Sequence, residues 1–293
     1  MENVSVKRTQ RISSEKRIMI RTFRKKKLAV IGLVIIVLFI LVAVFAPLIA
    51  PYDPYQIDIL NAKQDMSWAH WMGTDALGRD VLSRVIYGAR TSLLIAVVAV
   101  GLSAIVGIGL GLLAGYLGGI LEVFIMRFLD ALMSIPMTIL ALAIAALLGG
   151  GLVSIIIATG VGMTCMYARI MYGQTLQVKT SDYIMAEMGH GAKKSRIMLQ
   201  HILPNCFPVI IVTMTTQLGS AIMMEAGLSF LGIGILPPTP SWGGMINEGF
   251  DFLMTHPILS IGPGIAIFLV VFAFNMFGDG LRDALDPRLR GVI

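Results

Sequence analysis

Charged side chains are scarce in this chain. They make up 14% of its 293 residues, whereas hydrophobic residues make up 56%. A soluble domain usually carries about a quarter charged residues, which it needs to cover its surface in water. The mean hydropathy of +0.83 agrees with that shortage. The composition therefore excludes an ordinary water-exposed fold and indicates a protein whose solvent is largely lipid.

Residues that carry catalytic or metal chemistry are also few. The two cysteines, Cys165 and Cys206, lie in or beside apolar segments without CxxC spacing, and the four histidines are scattered. The sequence contains no GxxxxGK[ST] phosphate loop, no HExxH motif and no GxSxG motif. We therefore expect no metal site, no cofactor, no ATP site and no catalytic residue in this chain, which would make it something other than an enzyme.

Long apolar runs dominate what is present. The run from Leu28 to Ile49 carries no charge, and at about 1.5 Å per residue it is long enough to cross a hydrocarbon core of about 30 Å. It exceeds a signal-peptide core of about 7–15 residues, so we predict a retained helix. Further spans are predicted at residues 91–115, 122–148, 152–172, 206–235 and 258–278. The chain is thus expected to be an all-α integral membrane protein with about six transmembrane helices.

The placement of basic residues predicts the orientation. They crowd the first 27 positions and end in the run Arg24–Lys27, directly before the first apolar run. A basic tail can bind nucleic acid, but in this position it is typical of a topogenic signal that stays in the cytoplasm. We expect a multi-pass protein with both termini cytoplasmic, in contact with lipid and not with nucleic acid. The expected divisions are a cytoplasmic tail (1–27), a first transmembrane helix (28–49), an extracytoplasmic loop (50–90), a five-helix core (91–278) that contains a cytoplasmic segment (173–205), and a second cytoplasmic tail (279–293).

Small residues recur at intervals of four in the second predicted span, at Ser103, Gly107, Gly111, Gly115 and Gly119. On a helix this spacing forms one flat stripe, which allows another helix to approach closely. The stripe predicts packing within the bundle, with a hinge or a pore-lining surface as the alternative.

Polar residues inside predicted spans are candidates for function, because a charge in the bilayer is costly. Glu225 is surrounded by apolar residues, and we expect it to serve either the structure or a transport path. Arg127 and Asp130 are three residues apart, so they can pair on one helix face. Asn275 is a further polar candidate in the last span.

The predicted cytoplasmic segment 173–205 has the pattern of a short helix between two spans. Ser181 and Asp182 are suited to a helix start, Gly189 and Gly191 to its end, and a basic stretch and Pro204 follow. Such a helix is a natural docking element for another protein, although an ordinary surface loop would fit the same pattern.

The residues of this segment resemble a known motif. Asp182-Tyr-Ile-Met-Ala-Glu-Met-Gly-His-Gly-Ala192, followed by His201-Ile-Leu-Pro-Asn205, resembles the EAA loop of binding-protein-dependent ABC permeases. Three further motifs, at residues 72–84, 225–243 and 275–288, are similar to the dipeptide/oligopeptide/nickel branch of that family and to the C-type member of its permease pair. Here Met185 stands where the family has an acidic residue, and Glu187 lies two residues later.

The resemblance implies a type I ABC importer permease that works by alternating access. It implies a heterodimer with a homologous B-type permease, two ATPase subunits that bind ATP and Mg, and an extracytoplasmic substrate-binding protein. The implied cargo is a di- or oligopeptide, with nickel or a metal–chelator complex as the alternative in the same machine. A secondary transporter, a channel or a membrane-bound assembly protein are the alternatives from other classes.

The resemblance also implies that segment 173–205 couples the permease to the ATPases. The residues expected at that interface are Asp182, Tyr183, Ala186, Glu187, Gly191, Ala192, Lys193, Arg196 and Pro204.

Overall fold

The computed structural model of the chain describes residues 21–285. Most of the predicted basic tail, at residues 1–20, and the end of the last motif, Asp286-Pro287-Arg288, lie outside the described residues. Within the described part, the only β pairing is an isolated bridge between Thr74 and Asp80. The predicted all-α class is confirmed.

Helices follow one another with short connections, apart from residues 50–80, which carry little regular structure. The main helices are α1 (Lys27–Val44), α2 (Val81–Leu117), α3 (Gly119–Met133), α4 (Met137–Leu147), α5 (Leu152–Lys179), α6 (Asp182–Gly189), α7 (Leu203–Phe230), α8 (Trp242–Phe250) and α9 (Ile258–Leu285). Shorter helical pieces lie at Ala46–Ile49, Ile59–Asn61, Lys194–Arg196 and Ile197–Ile202.

By length and composition, the described residues contain five helices able to cross a membrane, or six if a bent pair counts as one span. The five are α1, α2, α5, α9 and a continuous segment Lys194–Phe230 that includes α7. The bent pair is α3 and α4, which meet at 88°. The expected number of about six spans is therefore confirmed.

Several helix bounds differ from the predicted spans for local reasons. Helix α2 begins at Val81 instead of residue 91, because the Asp80 side chain accepts a hydrogen bond from the Ser83 N–H at 2.8 Å and caps the helix there. The predicted single helix at 122–148 breaks before Met137, since Pro136 lacks an N–H and disfavours helical geometry in the residue before it.

The glycine stripe of α2 packs against α5. A Cβ atom at Gly107 would lie 2.6 Å from the Thr164 carbonyl oxygen, and one at Gly111 would overlap the carbonyl oxygen of Ala168. Only glycine allows backbones this close. Gly119 does not take part, because α2 ends at Leu117 and a Cβ there would meet nothing within 4 Å.

The first span belongs to the same bundle. A Cβ at Gly32 of α1 would lie 2.7 Å from the carbonyl oxygen of Ala273 in α9. Lys26, just before α1, pairs with Asp283 near the end of α9 at 2.8 Å. The hydrogen bond to Asp283 and its charge raise the pKa of Lys26.

Candidate functional site

The predicted docking helix is present as α6, and its end requires glycine. The Ala192 N–H donates to the Glu187 carbonyl at 3.1 Å and the Gly191 N–H to the Met188 carbonyl at 3.0 Å. These two bonds form a Schellman motif, in which the residue after the C-cap takes a left-handed conformation. Gly191 has a φ of +77°, so a side chain at this position would be strained.

The start of α6 differs in detail from the prediction. Ser181 occupies the N-cap position, but its side chain makes no cap hydrogen bond and donates instead to the Val178 carbonyl oxygen at 2.6 Å. Asp182 lies in the first turn, where a carboxylate complements the helix dipole.

One side chain fixes α6 to the bundle. Ile184 is fully buried in a cluster formed with residues of α2, α5 and α7, among them Leu112, Met171 and Cys206. This contact packs α6 against the ends of three long helices.

Apolar side chains of α6 other than Ile184 are open. Tyr183 is 46% exposed, and Met185 and Met188, which are three residues apart and share one side of the helix, are 52% and 37% exposed. Exposed large apolar side chains on a short, firmly held helix are typical of an interaction surface. Of the residues expected at the interface, Glu187 and Ala192 are half-buried, whereas the exposed ones are Asp182, Tyr183, Ala186, Gly191, Lys193, Arg196 and Pro204.

Glu225 lies inside the bundle with no exposed surface. The Ser92 hydroxyl of α2 donates to its Oε2 at 2.9 Å, and the Ser229 hydroxyl of α7 donates to its Oε1 at 2.9 Å. The carboxyl group thereby joins two helices through hydroxyl groups.

The expected pairing of Arg127 with Asp130 is wrong for the structure. Asp130 of α3 pairs with Arg169 of α5, and Arg127 is exposed. The three-residue spacing permits a pair between Arg127 and Asp130 on one helix. In the structure, packing of α5 against α3 brings Arg169 to Asp130 instead. Asn275 lies in α9, where its Nδ2 donates to the Val271 carbonyl at 3.0 Å.

A buried ion cluster, which sequence reasoning missed, joins loop 50–80 to α8. Arg84 donates from Nη1 to Asp75 Oδ2 at 2.5 Å and to Glu248 Oε2 at 2.6 Å. Arg79 donates to the same two carboxylates, at 2.6 and 2.8 Å. Arg84 is only 2% exposed. The motif at residues 72–84 supplies three of the four members, but nothing in the sequence points to the distant Glu248.

A second contact fixes the same loop to the start of α2. His70 Nδ1 lies 2.9 Å from Asp80 Oδ1, and the Tyr52 ring packs on the His70 ring with centroids 4.7 Å apart. Loop 50–80 is therefore a structured cap rather than a simple connection.

The described residues contain no group of three or more His, Cys, Asp or Glu residues arranged to hold a metal ion. Cys165 and Cys206 are both buried, and they are not joined to one another.

Comparison with known proteins identifies the class. The family model "binding-protein-dependent transport system inner membrane component" matches residues 107–291, and the model "N-terminal TM domain of oligopeptide transport permease C" matches residues 14–65. The chain belongs to this family of ABC importer permeases. It is a multi-pass transport subunit of the inner membrane, and the alternatives of a secondary transporter, a channel or an assembly protein are set aside.

Individual relatives agree with that assignment. The glutathione transport system permease protein GsiD of Escherichia coli is 44% identical over 272 residues, covering 92% of this chain and 90% of the relative. The oligopeptide transport system permease protein OppC of Bacillus subtilis is 43% identical over 268 residues, covering 92% and 88%.

A solved structure shares the fold. The MetNI methionine ABC transporter, in an inward-facing conformation, matches with a TM-score of 0.58 and 19% identity, covering 69% of this chain and 96% of the matched chain. This likeness confirms the expected type I importer permease bundle.

Proposed function

We propose that this chain is the C-type permease of an importer of di- or oligopeptides, driven by two separate ATPase subunits that bind ATP and Mg. A homologous B-type permease completes the transmembrane unit, and an extracytoplasmic binding protein delivers the cargo. The relatives are permeases of glutathione and oligopeptide transport systems, which supports a peptide-like cargo.

The observation that carries the proposal is the construction of α6. Its anchor, Ile184, is fully buried, while Met185 and Met188, which share one side of the same short helix, are 52% and 37% exposed. In the proposed orientation, both termini lie in the cytoplasm, where the ATPases are. Segment 173–205, which contains α6, lies there too. An exposed apolar face on a helix attached to three spans is suited to docking in a cleft of an ATPase subunit.

ATP would drive transport through this contact. Closure of the ATPase pair would move α6, and the spans attached to it would change from an inward-facing to an outward-facing arrangement. A ligand shifts such an equilibrium only by its difference in affinity for the two states. The ATPases therefore supply the energy, and α6 transmits it.

The test is uptake into vesicles that contain the purified complex. With the binding protein outside the vesicles and ATP enclosed inside them, on the side of the ATPases, we expect a radiolabelled tripeptide to accumulate inside. Omission of ATP or of the binding protein should each abolish it. Uptake of nickel salt or of a nickel chelate, with no uptake of any peptide, would contradict the proposed cargo.

A further inference from the structure

A cavity of about 420 Å³ opens between α7 and α9, next to the first turn of α4. Its size is within the range of small-molecule sites, about 300–1,000 Å³. Its lining residues are Thr138, Ser220, Met223, Met224, Gly227, Leu228, Leu231, Val271 and Asn275. None of them is charged, and the described residues there combine two hydroxyls, one amide and two thioethers.

The polar residues of the cavity do not suit contact with lipid. Thr138, Ser220 and Asn275 are all exposed on helices of the membrane-spanning bundle. Polar side chains in spanning helices normally face the bundle interior or a water-filled space, because hydrocarbon offers them no hydrogen-bond partner. The face is therefore covered by protein or open to water in the assembled transporter.

The lining has free hydrogen-bonding capacity and open space. Asn275 uses its Nδ2 for the Val271 carbonyl, and among the described residues no hydrogen bond to its Oδ1 is formed. A Cβ atom at Gly227 would meet nothing within 4 Å, whereas one at Gly107 or Gly111 of α2 would collide with α5. A molecule in the cavity could approach the α7 backbone there.

We propose that this cavity is the part of the cargo path contributed by this subunit, and that Asn275 binds the peptide backbone of the cargo. The inference rests on the proposed function and deepens it. The Asn275 Oδ1 would accept a hydrogen bond from a peptide N–H or a terminal ammonium group, and the hydroxyls of Thr138 and Ser220 can donate or accept. The flexible thioethers of Met223 and Met224 adapt to different cargo side chains.

The residues that line the cavity disfavour a bare metal cation as the cargo. The lining contains no carboxylate, imidazole or thiolate, which are the protein ligands that nickel and similar ions require. The absence of any fixed charge also means that acidic and basic peptides would be treated alike.

The first test measures water access and does not depend on knowing the cargo. The native cysteines are 3% and 0% exposed, so cysteines introduced by Ser220→Cys and Asn275→Cys can be labelled over a low background. In the purified complex, a membrane-impermeant maleimide should label both, at a rate that changes when ATP and vanadate trap the ATPases. Ile105→Cys, at a position 72% exposed on α2 and not in the cavity lining, is the lipid-facing control and should stay unlabelled.

If the two cavity cysteines were as unreactive as the Ile105→Cys control in every nucleotide state, a neighbouring permease helix or lipid would cover the cavity, and the inference would be overturned.

The second test measures cargo contact through charge. Asn275→Asp should raise the uptake of alanyl-lysyl-alanine relative to alanyl-glutamyl-alanine, and Asn275→Lys should lower the same ratio. We expect shifts of about tenfold, equivalent to about 1.4 kcal/mol. Equal losses for both peptides in both variants would indicate a structural role and contradict cargo contact.

The two tests separate the inference from the proposed function. Reactive cavity cysteines, together with a wild-type complex that transports no peptide, would refute the peptide cargo while supporting the path. Peptide transport by a complex with unreactive cavity cysteines would refute the path alone.

Discussion

Removal of the Arg84 guanidinium should destabilise the end of the bundle that carries loop 50–80. Arg84 is 2% exposed and its Nη1 lies 2.5 Å from Asp75 Oδ2 and 2.6 Å from Glu248 Oε2. The Arg84→Met substitution keeps much of the side-chain volume but leaves the Asp75 carboxylate, itself almost buried, with Arg79 as its remaining cation. Leaving a buried charge without any partner costs about 3–5 kcal/mol. Because Arg79 still pairs with both carboxylates and Glu248 is 31% exposed, we expect a loss of at most about 3 kcal/mol.

The assay is the thermal unfolding midpoint of the purified complex in detergent, with Arg90→Met as the matched control. Arg90 lies on the same helix but is exposed, so its replacement should change the midpoint little, whereas Arg84→Met should lower it by several degrees. The double variant Arg84→Met/Glu248→Gln should recover part of the loss, because it leaves fewer charges unpaired. Equal midpoints for Arg84→Met and the wild-type protein would refute the reasoning.

Three further predictions concern single sites. Gly191→Asp should abolish ATP-driven uptake but leave membrane insertion intact, because a side chain is strained at a φ of +77° and the new charge faces the docking surface; unchanged uptake would count against docking. Gly111→Val should lower the yield of folded protein, measured by size-exclusion chromatography, because its Cβ would overlap the Ala168 carbonyl oxygen; a normal yield would contradict the close helix contact. Glu225→Gln should retain assembly with the other subunits on pull-down, since the amide oxygen can still accept from Ser92; loss of the protein from the membrane would show that the charge itself is structural.

Features that depend on local sequence could be predicted before the structure was known. The apolar runs predict the spanning helices. The four-residue glycine spacing predicts close packing against another helix, and in the structure α5 makes that contact at Gly107 and Gly111. The short helix α6 and its glycine terminus likewise follow from the residues of segment 173–205. In each case the sequence pattern that allows the prediction lies within a few turns of one helix.

Features that depend on distant partners could not be predicted in the same way. Arg84 and Arg90 make the start of α2 look like a polar loop. The Asp80 cap fixes the helix start locally, but the burial of Arg84 there depends on its contact with the distant Glu248. Asp130 has a possible partner on its own helix, so the choice of Arg169 requires knowledge of how α3 and α5 pack. A single sequence carries no signal for such pairings.

The central claim is that this chain works only as part of an ATP-driven complex. Its most direct test is a pull-down of the chain from mild detergent, with mass spectrometry of the proteins that accompany it. We expect recovery of a second, homologous permease together with the ATPase subunits. Recovery of the chain alone or as a self-oligomer, under conditions that preserve related complexes, would contradict it.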